Sequence, residues 1–140
     1  MSGGGVWHAL TRNRAETAAD APDRRLRGRT YAIPFEDVWQ VALDLAGRRR
    51  GWHVLEADDL EGRIRAEART LLRFVDDVVI RVTLDSNAQT RLDMTSASRV
   101  GKGDLGKNAR RIGKFLRALD RELRRRPRGV AARRAAAREA

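Results

Sequence analysis

Residues 53–70 read HVLEADDLEGRIRAEART, and the way this stretch pairs with itself decides the fold. Asp59-Leu60-Glu61-Gly62 is turn material between two alternating runs, 53–58 and 63–70. Setting Asp58 against Arg63 puts Glu56 opposite Arg65, while Leu55 and Ala57 meet Ala66 and Ile64. One face then carries matched charges and the other apolar groups, and a slip of one residue destroys both. This register predicts His53 on the inner face opposite Ala68, as a packing residue. It predicts Trp52 on the outer face beside Arg69, in a cation–π contact.

Working outward, Val78, Ile80, Val82 and Leu84 alternate with polar neighbours, as do Leu92, Met94 and Ser96. If Leu84 faces Leu92 across a loop over 86–90, Asp85 lies opposite Arg91. Asp77 then lies opposite Arg99, as a structural ion pair on the outer face. Upstream, 30–33 reads as a short strand. Phe35, Val38, Trp39, Ala42, Leu45 and Ala46 follow at helical spacing. Pro34, Glu36 and Asp37 suit the first turn of that helix, and Gly47 followed by Arg48-Arg49-Arg50 suits its end. From about 104 to 125, Leu105, Ile112, Phe115, Leu116, Leu119 and Leu123 form an apolar stripe. Arg110, Arg111, Lys114, Arg117, Arg121 and Arg124 lie largely off it.

The expected order is β-α-β-β-β-β-α, an α+β fold. Antiparallel strands with one solvated face predict a curved antiparallel sheet of about five strands with two helices on one face. That order is similar to a reduced helix-grip domain, an analogy of topology that carries no function. Residues 1–29, which open on Gly3-Gly4-Gly5 and stay mostly polar, read as an irregular arm. Residues 30–126 form the single domain, and 127–140 form a basic Arg/Ala tail.

The chain has 140 residues and no cysteine, which excludes disulfides, thiolate metal sites and cysteine nucleophiles. With His8 and His53 as its two histidines, an all-protein zinc site would have to lean on carboxylates, and no metal site is expected. No cofactor is expected either. No stretch reaches the roughly 20 apolar residues of a membrane span, and residues 1–10 lack the pattern of a signal peptide. The expectation is a cytoplasmic protein. The net charge of +11 is polarised: residues 99–140 hold fifteen Lys/Arg against four Asp/Glu, whereas 30–98 hold nine against twelve. Such a layout favours an anionic partner for residues 99–140, whether nucleic acid or an acidic membrane surface.

Gly101-Lys102-Gly103-Asp104-Leu105-Gly106 spells GxGxxG between a strand and a helix. A dinucleotide-binding unit needs a second parallel strand after the helix, and none follows here. The glycines still free backbone N–H groups at a helix start, beside Arg99 and Lys102. This is either a phosphate- or carboxylate-sized anion site or a tight turn with Asp104 as N-cap. Asp76 and Asp77, as neighbours in a strand, point to opposite faces and do not converge on one proton. Asp58, Asp59 and Glu61 lack the periodicity of a calcium loop. No nucleophile elbow or Walker loop is present, so the reading leans away from an enzyme and assigns no catalytic residue.

The run from Ser96 to Ile112, Ser96-Ala97-Ser98-Arg99-Val100-Gly101-Lys102-Gly103-Asp104-Leu105-Gly106-Lys107-Asn108-Ala109-Arg110-Arg111-Ile112, closely resembles the signature of the domain-of-unknown-function 1499 family. Phe74 with Asp76-Asp77, and Gly62-Arg63-Ile64-Arg65-Ala66-Glu67, resemble it too. The resemblance covers about residues 10–119 and implies a stand-alone domain without an assigned activity. Its motif positions here are Ser96, Ser98, Arg99, Gly101, Asp104, Gly106, Asn108 and Arg111, gathered at one strand-to-helix junction. They either brace the helix or form a site. The candidate anion-binding set is Ser98, Arg99, Lys102, Asn108 and Arg111. The leading functional expectation is a non-enzymatic binding module that meets an anionic partner through its basic C-terminal helix and tail. The alternative is a small apolar-ligand carrier, with a pocket between the sheet and the helix at Ile112, Phe115 and Leu119.

Residues beyond Pro127 lack an apolar stripe, so truncation at Arg128 should leave the midpoint of thermal unfolding almost unchanged. A large drop would show that the tail packs on the domain.

Overall fold

A computed structural model of the protein describes residues 10–11, 14–100 and 105–126. Strands β4 (Trp52–Asp58) and β5 (Arg63–Arg69) form the first hairpin, with Asp58 opposite Arg63, Ala57 opposite Ile64 and Glu56 opposite Arg65. Glu56 accepts hydrogen bonds from Arg63 and Arg65, each at 3.1 Å. The two guanidiniums, Arg63 first, hold its carboxyl below the usual carboxylate range.

Beyond Glu56 the pairing changes. The register shifts between Val54 and Glu56, leaving Leu55 as a β-bulge, so that Val54 faces Ala66 and Trp52 faces Ala68. One extra residue reverses the phase of the alternation. His53 therefore pairs with Glu67 and is exposed, and Leu55 is also exposed. This corrects the expected inner His53 and outer Trp52. Trp52 turns inward and stacks on Phe115, with ring centroids 5.4 Å apart and 7° between planes. The guanidinium over its ring is that of Arg49, 5.6 Å from the centroid, rather than that of Arg69.

Strands β6 (Val75–Leu84) and β7 (Thr90–Ser98) pair Leu84 with Thr90, Val82 with Leu92 and Asp77 with Ala97. The register is two residues tighter than expected. A shift of two keeps every side chain on its face, so Val78, Ile80, Val82, Leu92, Met94 and Ser96 are all buried. Asp85 does not face Arg91. Its Oδ1 accepts from the backbone N–H groups of Asn87 and Gln89 at 2.8 and 3.0 Å, capping the turn. Arg91 pairs instead with Asp93 at 2.9 Å. Leu84, at the end of its strand, is exposed rather than inward.

Among the described residues one antiparallel sheet runs in the order β1-β2-β7-β6-β5-β4, with β1 at Leu10–Thr11 and β2 at Arg14–Glu16. Strand β3 (Arg29–Tyr31) also pairs with β7. The segment expected as an irregular arm thus supplies strands and a 3-10 turn at Arg24–Leu26. Pairing satisfies N–H and C=O groups that the outer edge of β7 would otherwise expose. Ala15 and Leu26 are buried in the process. These strands are two or three residues long, too short to show an alternation in the sequence.

Helices α1 (Phe35–Arg48) and α2 (Leu105–Arg125) cover the apolar face of the sheet. Pro34 is the N-cap of α1, and its carbonyl accepts from Asp37 and Val38. The helix runs through Gly47 to Arg48, and the left-handed turn falls at Gly51 (φ 83°), which corrects the expected stop at Gly47. The α2 side chains Ile112, Phe115, Leu116 and Leu119 are wholly buried. Asp120 clamps the C-terminal half of α2 to β3, accepting from Tyr31 Oη at 2.6 Å and from Arg29 Nε at 3.0 Å. Burial, and then the hydrogen bond to Asp120, push the Tyr31 phenol above its ordinary value. The glycine loop around Lys102, the proposed N-cap Asp104 and the tail 127–140 lie outside the described residues.

Two glycine substitutions should act in opposite directions. Gly62 has φ 68°, its carbonyl accepts from the Val82 N–H at 2.7 Å, and it leaves no room for a Cβ against the Val82 carbonyl. Gly62→Ala should therefore destabilise the domain by more than about 1 kcal/mol. Gly47 is helical with open space around it, so Gly47→Ala should stabilise by about 0.5–1 kcal/mol. Chemical unfolding of both variants tests the pair.

Candidate functional site

Asp76 lies on the inner side of β6 with no exposed surface. A carboxylate in that position requires counter-charge. Two residues one helical turn apart on α2 supply it. Arg111 Nη1 lies 2.7 Å from Asp76 Oδ2, and Lys107 Nζ lies 3.1 Å from the same oxygen. Lys107 also donates to Oδ1 at 3.3 Å. Neither contact at Oδ2 is aligned as a hydrogen bond, so charge alone holds that oxygen.

Hydroxyls and an amide complete the cluster. Ser96 Oγ donates to Asn108 Oδ1 at 2.7 Å, and Asn108 Nδ2 donates to Ser98 Oγ at 3.1 Å. Arg111 Nη1 donates to Ser96 Oγ at 3.1 Å and to Asn108 Oδ1 at 3.0 Å. Ser96 and Asn108 are fully buried, and Ser98 nearly so. Alternation along β7 turns Ser96 and Ser98 to the same face, and the i,i+3 spacing puts Asn108 and Arg111 side by side.

The structure therefore brings Ser98, Asn108 and Arg111 together, and it separates Arg99 from them. Arg99 lies on the opposite face of the sheet, 2.7 Å from Asp77 and also paired with Glu67. Those carboxylates, Asp77 first, hold its guanidinium above its ordinary value. Arg99 is opposite Val75, making it a diagonal neighbour of Asp77 rather than its direct cross-strand partner. Lys102, the remaining member of the expected set, lies outside the described residues.

Beside the cluster opens a cleft of about 260 Å³, lined by Arg49, Arg50, Trp52, Ala68, Arg69, Lys107, Arg110, Arg111 and Lys114. Seven of these nine side chains are basic and none is acidic. Lys107 and Arg111 face Asp76 at its base. Arg49, Arg50, Arg69 and Lys114 have no carboxylate within ion-pair distance among the described residues. Arg49 is half-buried over the Trp52 and Phe115 rings. Burial, and then the charge of Arg111, hold its guanidinium below its ordinary value. The cleft thus contains cations that repel one another and gain from a bound anion.

Of the α2 side chains lining this cleft the expected set names Arg111 alone, and it omits the shares of α1, β4 and β5. Arg48-Arg49-Arg50 reads naturally as a helix C-terminus, and the expected phase of β4 sent Trp52 to the wrong face. A signal was present: the apolar positions change parity from Trp52 and Val54 to Leu55 and Ala57, which is the mark of a bulge. Among the described residues no group of His, Asp or Glu is placed to hold a metal ion. No helix there is long and apolar enough to cross a membrane.

Asp76→Ala should destabilise the domain by about 3–5 kcal/mol, because it leaves Arg111 buried without a counter-charge. Adding Arg111→Met should recover part of the loss, a sign that the penalty lies in the orphaned charge. Equilibrium unfolding of the single and double variants measures this, and equal or additive losses would contradict it.

A search among curated proteins finds no match for the chain. A family profile described as "Protein of unknown function (DUF1499)" matches residues 9–119. The match spans both hairpins, α1, the Asp76 cluster and most of α2, and on that coverage the chain belongs to the DUF1499 family.

Proposed function

We propose that the domain is a binding module for an anionic partner, and that the cleft between the α1–β4 turn and the first half of α2 is where the anion sits. The observation that carries this reading is a cleft lined, among the described residues, by seven basic side chains and no acidic one. Like charges gathered at this density reduce stability unless something offsets them. The half-buried Arg49, held over Trp52 with no carboxylate paired to it among the described residues, is the member with most to gain. Binding is favoured over catalysis because Asp76, the carboxylate that Lys107 and Arg111 face, is engaged by both cations and has no surface to offer. Ser98, Asn108 and Arg111 serve the site by fixing the helix, and Lys107, Arg110 and Lys114 present charge. Residues 127–140 add arginines to the same partner. The carrier reading gains no support, since Ile112, Phe115 and Leu119 are closed within the packed core.

Tripolyphosphate is a suitable probe, being compact and highly charged. It should bind the unaltered protein, with affinity falling as salt rises. Arg49→Gln combined with Lys114→Gln should weaken it at least about tenfold, since each cation near a bound phosphate contributes of order 1 kcal/mol. Calorimetric titration at several salt concentrations provides the measurement. Binding that is unchanged in the double variant would remove the cleft as the site.

A further inference from the structure

The hairpin joining β5 to β6 carries unusual side chains for a tight turn. The Thr70 carbonyl accepts from the Arg73 N–H at 3.0 Å, and Arg73 is left-handed at φ 65°. This closes a short turn with Leu71 and Leu72 at its two central positions. Such positions ordinarily hold Gly, Asn, Asp or Ser. Here Leu71 is 103% exposed and Leu72 79%, with Phe74 exposed behind them. The Phe74 carbonyl accepts from the Thr70 N–H at 2.9 Å, and Thr70 Oγ1 accepts from the Phe74 N–H at 3.1 Å. An ordered turn therefore displays both leucines to solvent.

The register puts this tip at the same end of the sheet as the cleft. Arg69, which lines the cleft, is the last residue of β5 and faces Val75, the first residue of β6. Trp52 faces Ala68 on the adjoining strand. The opposite end of the sheet provides a contrast, because its exposed Leu60 sits among Asp58, Asp59 and Glu61. One leucine tip is thus flanked by arginines and the other by carboxylates.

We propose that the Leu71–Leu72 end of the domain docks on an anionic phospholipid bilayer, with the two leucines entering the interfacial layer and the cleft taking a lipid phosphate. This rests on the anion reading of the cleft and adds a partner to it. Charge complementarity selects the bilayer: cations at the tip's flanks meet headgroups while an apolar tip meets the acyl boundary. Nucleic acid would use the cations and leave both leucines in water.

Co-sedimentation of the full chain with two kinds of vesicle tests the proposal, one of phosphatidylcholine alone and one of equimolar phosphatidylcholine and phosphatidylglycerol. The unaltered protein should partition onto the second and not the first. Leu71→Asp with Leu72→Asp should weaken that binding at least about tenfold, leaving tripolyphosphate affinity and the thermal midpoint unchanged. Leu60→Asp should change nothing. Equal vesicle binding by the Leu71/Leu72 variant, or equal loss in Leu60→Asp, would overturn the proposal. So would a self-associated protein that the Leu71/Leu72 variant converts to monomer. Duplex DNA binding that survives the leucine substitutions, without vesicle binding, would assign the cleft to nucleic acid instead. Failure of the unaltered protein to bind anionic vesicles while still binding tripolyphosphate would end the membrane assignment and leave the cleft reading standing.

Discussion

A single buried carboxylate governs how this domain is put together. Asp76 has no exposed surface, and an isolated charge in such a place is not tolerated. Its counter-charges come from Lys107 and Arg111, so α2 must cross the sheet at one height and one rotation. Asn108, between them in sequence, reaches across to Ser96 and Ser98 on the neighbouring strand. Helix, β6 and β7 are thereby locked against sliding. Farther along, Asp120 repeats the device against Arg29 and Tyr31, tying the other half of the helix to the strand β3. Both ends of α2 are fixed by polar contacts, and the apolar stripe between them fills the core.

The same arrangement leaves a surplus of positive charge. One carboxylate serves two cations, while α2 continues to Lys114 and the α1–β4 turn contributes Arg49 and Arg50. On the outer face of the sheet several arginines are matched: Glu56 takes Arg63 and Arg65, Asp93 takes Arg91, and Asp77 with Glu67 takes Arg99. The cations beside Trp52 differ from these in being gathered into one cleft. Local departures from otherwise consistent rules are where function is expected.

Much of the fold could be read from charge and apolar alternation acting together. Asp58 with Arg63 and Glu56 with Arg65 satisfied both faces at once, and that part of the register is present. The inner faces of β6 and β7 were legible for the same reason, although their register was not. Two registers that differ by two residues give identical faces, so the choice falls to the turn, where Asp85 binds backbone rather than a cross-strand arginine. The bulge at Leu55 left only the parity change as its trace, because either phase offers apolar residues to the core. The N-terminal strands are held by the partner they complete and not by a pattern of their own. For the site, helical spacing placed basic residues off the apolar stripe of α2, but of those lining the cleft only Arg111 was singled out. The β4 contribution depended on the phase of one strand, and with it on a single inserted residue.

That inserted residue also bears on how the protein stays dispersed. β4 ends the sheet, and a terminal strand offers unpaired backbone groups to any other chain in extended form. At Leu55 the ladder is interrupted and the strand twists, and Glu56 stands beside the break. A second chain laid along this margin would meet a discontinuity after a few residues and could not extend a regular ladder. The kink that aims Trp52 at the basic cleft thus also denies the sheet's open side to amyloid-like addition.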